Sequence, residues 1–244
     1  MDTRTLHIPT PDGAADAFVA FPDDGAPRPG VLMYPDGFGI RPVLRDMARE
    51  LAGHGYHVLV PNIFYRHGPA PVFDLPEHIG AEARPAVFAQ LMPLIEAHTV
   101  DRTLRDAGPY LDFLTARPEV AAGPVAVTGY CIGGLLAMRT ATAHPGRIAA
   151  VAAFHAPVGA DGPGGFAGLT ARVHLGHAAG DMTPDDLDGL NRALDAAGVD
   201  HTSEIYPGTT HGFTMSDTDA YDPAALRHHW DRLLPLLRQT LSVD

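Results

Sequence analysis

The sole cysteine, Cys131, lies in the run Gly129-Tyr130-Cys131-Ile132-Gly133-Gly134. This is a small-x-nucleophile-x-small pattern between a β-branched run, Val125–Thr128, and a helical pattern, Ile132–Ala143. Serine is the usual central residue of such a turn. A thiol there attacks carbonyl carbon as its thiolate. Glycines two positions before and after remove Cβ atoms that would collide with the adjoining strand and helix. The helix N-terminus offers backbone N–H groups and the positive end of a dipole, which favour a thiolate and a developing oxyanion. A free cysteine is otherwise a buried, inert side chain. The strand-turn-helix setting favours the nucleophile.

A thiol nucleophile needs a base, and the base needs an orienting group. Two later loops carry the right residue types. One follows the apolar run Arg172–His177 and holds Asp181, with Thr183-Pro184 opening the next helix. The other follows Thr202–Tyr206 and holds His211 in His211-Gly212-Phe213. The chain order is nucleophile, acid, histidine, at spacings of 50 and 30 residues. Asp181 also reads as a turn or cap residue, although Thr183 is the better cap. His211 also reads as an ordinary loop histidine.

The elements that must position these groups alternate. Strands are expected at Ala15–Phe21, Gly30–Tyr34, Tyr56–Val60, Val125–Thr128, Ile148–Phe154, Arg172–His177 and Thr202–Tyr206. Helical periodicity marks Val43–Gly53, Thr103–Ala116, Ile132–Ala143, Asp185–Ala197 and Ala224–Leu241. Such alternation predicts an α/β protein: a mostly parallel sheet of about seven or eight strands with helices on both faces. The first strands lack an intervening helix, so one edge is expected to be antiparallel. One domain over 1–244 is expected. The proline-rich stretch 62–100 reads either as a cap or lid over the site or as a surface excursion.

Composition removes several classes of function. All 17 basic residues are arginine, and with 29 acidic residues the net charge is −12. Without lysine there is no Schiff-base chemistry and no complete P-loop. One cysteine permits no intramolecular disulfide and no cysteine-based zinc or iron–sulfur site. Net acidity speaks against nucleic acid as a partner. An apolar fraction of 45% with 19% charged residues describes a globular chain. No signal-peptide pattern opens the sequence. The uncharged stretch Val120–Met138 is broken by Gly123, Pro124, Gly129, Gly133 and Gly134, so no membrane span is expected and the location is read as cytoplasmic.

From Pro29 to the last helix the chain resembles the dienelactone hydrolase family of the α/β-hydrolase superfamily. The resemblance rests on Tyr34-Pro-Asp-Gly-Phe-Gly39, Gly55-Tyr-His-Val-Leu-Val-Pro61, the Gly-Tyr-Cys-Ile-Gly-Gly elbow, Gly180-Asp181 and His211-Gly-Phe213. It implies the α/β-hydrolase fold and a Cys131–His211–Asp181 triad. It implies a hydrolase of a small-molecule ester or lactone, acting through a thioester without a cofactor. It also implies that the main-chain N–H groups of Gly37 and Ile132 form an oxyanion hole. Asp36 matches a glutamate that helps deprotonate the cysteine in the namesake enzymes. It is one methylene shorter and reads equally as a loop-capping residue. Those enzymes carry an arginine shortly after the histidine that holds the substrate carboxylate; here the run His211–Asp217 has none. Arg41, Arg66 and Arg84 are candidates to lie over the cleft, and each reads also as a solvated surface charge.

Tyr130, His155, Phe38 and Phe213 are candidate pocket residues by position, with a structural role open for Tyr130 and His155. None of the 14 histidines falls in a metal-binding spacing, so no metal is expected. A thioesterase or amidase on the same scaffold is an alternative function. A non-catalytic binding protein of this fold is another.

Overall fold

Strand residues alternate between two apolar cores, and that alternation organises the molecule. Its computed structural model describes residues 1–159 and 165–241. Eight strands form one sheet: β1 (Asp2–Thr10), β2 (Gly13–Phe21), β3 (Gly30–Tyr34), β4 (His57–Pro61), β5 (Val125–Tyr130), β6 (Ile148–Phe154), β7 (Arg172–Ala178) and β8 (His201–Tyr206). Their order is β1-β2-β4-β3-β5-β6-β7-β8. The β1–β2 and β2–β4 pairs are antiparallel; all others are parallel. Helices α1 (Pro42–Gly53), α2 (Arg84–Glu96), α3 (Val100–Thr115), α4 (Ile132–Ala143), α5 (Pro184–Ala196) and α6 (Pro223–Thr240) complete the fold.

With a side-chain period of two, each central strand feeds both faces. Leu32 of β3, Val127 of β5 and Val173 of β7 pack with Leu111 of α3, Leu136 of α4 and Leu190 of α5. Met33, Ala126 and Tyr130 face the other way, toward Leu44 of α1 and Leu233 of α6. The sheet is thus covered on both sides, as the near-continuous apolar strands require.

Two elements differ from the sequence reading. β1 went unread because it is an edge strand with only Ile8 fully buried, so it lacks apolar alternation. α2 lies inside the stretch read as irregular. Pro85 sits in its first turn, where no N–H partner is lost, and Pro93 interrupts its interior. Only Leu91 of α2 is buried, so no amphipathic stripe marks the helix. No helix among the described residues is long and apolar enough to cross a membrane.

Strand order reverses between β3 and β5: β4 lies to one side of β3, and β6 to the other side of β5. In open parallel sheets the crevice beyond the carboxyl ends at such a reversal is where ligands bind. The loop Pro35–Ile40 leaves β3 there, and Cys131 leaves β5 beside it.

Candidate active site

Cys131 occupies a backbone conformation with φ 54° and ψ −124°, on the positive-φ side that side-chain-bearing residues rarely adopt. The surrounding structure holds it there. The Cys131 N–H donates to the Phe154 carbonyl (3.0 Å), and the Cys131 carbonyl accepts from the Gly134 N–H (3.0 Å). A Cβ at Gly129 would lie 2.1 Å from the Gly133 carbonyl oxygen, and one at Gly133 would lie 2.2 Å from that of Pro35. The flanking glycines are therefore sterically required. The register Tyr34↔Gly129 sets the β3 loop directly against the elbow.

Asp181 and His211 arrive on adjacent parallel strands, with Ala178 of β7 paired to Tyr206 of β8. The Asp181 N–H donates to Ala178 O (3.0 Å), closing a turn just beyond β7. Thr183 and Asp186 form a reciprocal capping box at α5, which leaves the Asp181 carboxylate free of a capping duty. That carboxylate accepts from His211 Nδ1 at 2.5 Å. Cys131 and His211 line the same cleft. Burial alone would push the imidazole down. Cys131 and Asp181 beside it outweigh burial, and His211 is pushed up to about 9.

Two backbone donors near Cys131 are uncommitted. In the β3 loop, Phe38 N–H donates to Asp36 Oδ1 (3.1 Å) and Gly39 N–H to Asp36 O (3.0 Å), while Gly37 N–H has no acceptor among the described residues. Ile132 opens α4, where the first N–H groups lack helical partners, and it too has none among the described residues.

A narrow cleft opens over these groups, lined by Cys131, His211, His155, Asp36, Gly37 and Phe38 from the sheet side. The 62–100 segment supplies the opposite wall through Ile79, Phe88, Leu91 and Ile95. Leu91 and Ile95 press so closely on Gly37 that a Cβ there would meet them at 3.0–3.7 Å.

Several placements differ from the sequence reading. Tyr130 and Phe213 do not line the cleft. Both are fully buried on the α6 side of the sheet, where Tyr130 OH pairs with His229 Nε2 (3.0 Å) and Phe213 stacks on Tyr206. The strand period decides this for Tyr130: it points to the face opposite its neighbour Gly129. Ile132 buries its side chain in the core, leaving only its N–H at the site. Asp36 is buried with both carboxylate oxygens held by Arg41, at 2.6 and 3.0 Å. Burial pushes its carboxyl up against the pull of that guanidinium. Arg66 binds Asp12 and Asp106 and takes no part in the cleft lining, whereas Arg84 lines it, with its guanidinium over the Phe88 ring. His155 has a positive φ of 39°, is fully buried and gives its Nε2 to a 2.9 Å contact with Thr214 Oγ1. Its ring meets that of His211 edge-on at 5.2 Å, and burial followed by the His211 charge keeps it neutral, well below the usual histidine range. Thr214 and Asp217 carry no local motif that marks them in the sequence. Among the described residues no cluster of three His, Cys, Asp or Glu side chains is placed to hold a metal ion.

An eight-stranded, mostly parallel sheet with a strained nucleophile-type turn at its carboxyl edge defines an α/β-hydrolase fold. Residues 15–241 match the dienelactone hydrolase family, and the chain belongs to it. It is similar to the carboxymethylenebutenolidase of Rhodococcus opacus, with 27% identity over 225 residues, covering 87% of this chain and 82% of that one. Among solved structures it resembles a dienelactone hydrolase-like promiscuous phosphotriesterase from metagenomic libraries, with TM-score 0.80 and 25% identity, covering 98% of this chain and 99% of that one. A thermostable carboxylesterase cloned from a metagenomic library shares the fold, with TM-score 0.68 and 18% identity, over 99% of this chain and 90% of that one.

Proposed function

We propose that this chain hydrolyses small esters or lactones with Cys131 as nucleophile, His211 as acid and base, and Asp181 as its orienting group. The observation that carries the reading is the strained Cys131 turn facing a His211 already bonded to Asp181. At neutral pH His211, pushed up to about 9, is protonated. The reacting form of Cys131 is the thiolate, which an adjacent imidazolium favours.

The thiolate attacks the substrate carbonyl carbon, forming a C–S bond, and the carbonyl electrons move onto oxygen. The Gly37 and Ile132 N–H groups bind that oxyanion; one such donor is worth about 3–4 kcal/mol in a comparable site. As the oxyanion collapses, the C–O bond breaks. The imidazolium gives its proton to the leaving alkoxide, which leaves a thioester on Cys131. Neutral His211 next takes a proton from water, and the hydroxide attacks the thioester. The C–S bond breaks, the acid product leaves and the thiolate–imidazolium pair returns. Atoms and charges balance without a cofactor. The reaction needs Cys131 reduced, which suits a reducing compartment.

In this reading the chain is one hydrolase domain and 62–100 is its cap, since that segment walls the cleft opposite the thiol. Apolar Phe88, Leu91 and Ile95 shelter the thioester from bulk water, and Arg84 supplies a cation to the cleft.

The test is p-nitrophenyl acetate turnover by wild type, Cys131→Ala and His211→Ala, with mass spectrometry of the rapidly quenched enzyme. Loss of turnover in both variants and an acetyl group on Cys131 are expected. Equal rates in all three would reject the assignment.

A further inference from the structure

Arg41 donates five hydrogen bonds beside the cleft. It precedes α1 in chain order and is almost wholly buried. Its Nη1 donates to Asp36 Oδ1 (2.6 Å) and to the Gly39 carbonyl (3.3 Å), and its Nη2 to Asp36 Oδ2 (3.0 Å). The same guanidinium donates through Nε to Asp217 Oδ2 (2.5 Å) and through Nη2 to Asp217 Oδ1 (3.1 Å). Asp36 lies in the loop that offers the Gly37 N–H. Asp217 lies six residues beyond His211. One rigid fork therefore ties the loop after β3 to the loop after β8, across 176 residues of sequence.

The far side of this tie reaches the 62–100 segment. The Asp217 carbonyl accepts from Ile79 N–H (2.8 Å), and Thr218 and Ile79 form an isolated bridge. Asp219 accepts from Ala81 N–H (2.7 Å) and pairs with His78 Nε2 (2.7 Å). Residues 217–219 thus touch both the wall of the cleft and, through Arg41, the floor beneath Gly37.

We infer that Arg41 is a positioning residue for the proposed hydrolysis, holding the Gly37 loop at its distance from Cys131 and from the histidine loop. This rests on the reading in the preceding subsection. The Asp36 carboxylate orders its own turn through Phe38 N–H, and Arg41 orders that carboxylate. Without the fork the turn loses its only charged anchor among the described residues. Two carboxylates would also face each other across a buried space, one of them lining the cleft with Cys131. Burial of an arginine between two aspartates is weak evidence for stability, because desolvation offsets much of the attraction. Geometry is the better account of its retention. In this assignment Asp36 does not serve as the base: both its oxygens are committed to Arg41.

The experiment compares Arg41→Gln, Asp217→Asn and the double variant Asp36→Asn/Arg41→Gln with wild type and Cys131→Ala. The readouts are kcat and KM on p-nitrophenyl acetate and the pH profile of Cys131 alkylation by iodoacetamide. Arg41→Gln is expected to lower kcat by about tenfold or more, since misplacement of about 1 Å costs about a hundredfold, with KM within about threefold. Loss of Arg41 drives buried Asp36 toward its neutral form, so the alkylation profile stays close to wild type while kcat falls. The double variant behaves the same way. Asp217→Asn lowers kcat without moving the alkylation profile. Arg41→Gln and Asp217→Asn with kcat within about twofold of wild type would overturn the inference. Should Arg41→Gln fail to fold, Asp217→Asn decides alone by the same threshold. Turnover retained in Cys131→Ala would instead reject the hydrolase reading itself.

Discussion

Replacing Gly133 by alanine perturbs the proposed oxyanion hole from beneath. A Cβ there lies 2.2 Å from Pro35 O, 2.7 Å from Tyr34 O and 2.9 Å from Tyr34 C, all backbone atoms. Real Cβ contacts do not fall below 3.0 Å, so the β3 end and α4 must part by at least the 0.8 Å that separates 2.2 from 3.0. Pro35 is two residues before Gly37, and Gly133 is one after Ile132. The displacement therefore widens the gap between the two N–H donors meant for one oxygen atom. A shift of about 1 Å costs about a hundredfold in rate, or about 3 kcal/mol of transition-state stabilisation. Overpacking removes a further ~1–3 kcal/mol of stability. The assay is kcat/KM on p-nitrophenyl acetate, paired with iodoacetamide alkylation of Cys131. Alkylation develops no oxyanion, so it should stay within about threefold of wild type while ester turnover falls about a hundredfold. Gly53→Ala is the control: it sits on an exposed turn of α1, its nearest atom is the flexible Met1 side chain at 3.8 Å, and turnover should not change. Folded Gly133→Ala with wild-type turnover, or with alkylation lost in proportion to turnover, would refute the reasoning.

Asp181→Asn removes a charge that raises His211. The protonated form, present below about 9, is lost as pH rises through that value, so the alkaline limb of kcat/KM lies near 9 in wild type. In the variant the limb should move to lower pH and kcat should fall by about two to four orders of magnitude; an unmoved limb would contradict the role. Buried His57, His98, His174 and His177 are held neutral down to about 4, and His229 to about 3, chiefly by burial. Unfolded, each binds a proton near 6.5, so stability is lost as pH falls from about 6.5 toward 4, at about 1.4 kcal/mol per unit for each histidine. Urea midpoints at pH 7 and pH 5 should differ sharply, and equal midpoints would count against the buried neutral state. Arg84→Ala should lower kcat/KM about tenfold for esters with a carboxylate in the acyl part, and leave neutral acetate esters within about twofold; equal losses on both would remove Arg84 from substrate recognition.

The Cys131 elbow was legible because its requirement is local: two glycines, a strand before and a helix after. The loops of Asp181 and His211 were legible for the same reason, each following an apolar strand. The layered α/β fold followed from the alternation of periods. Element ends differed by at most three residues, as with the helix read at Thr103–Ala116 and found at Val100–Thr115. β1 and α2 were illegible because neither buries enough side chains to leave a pattern.

Sequence alone determined which residues are candidates for the proposed chemistry, since residue type and the steric need for glycine are written at the position itself. Tertiary structure alone decided their company. The parallel pairing of β7 and β8 brings Asp181 to His211, and the strand period turns Tyr130 away from the cleft. Arg41 meets Asp217 because two loops end at one sheet edge, a coincidence in space that no spacing along the chain encodes.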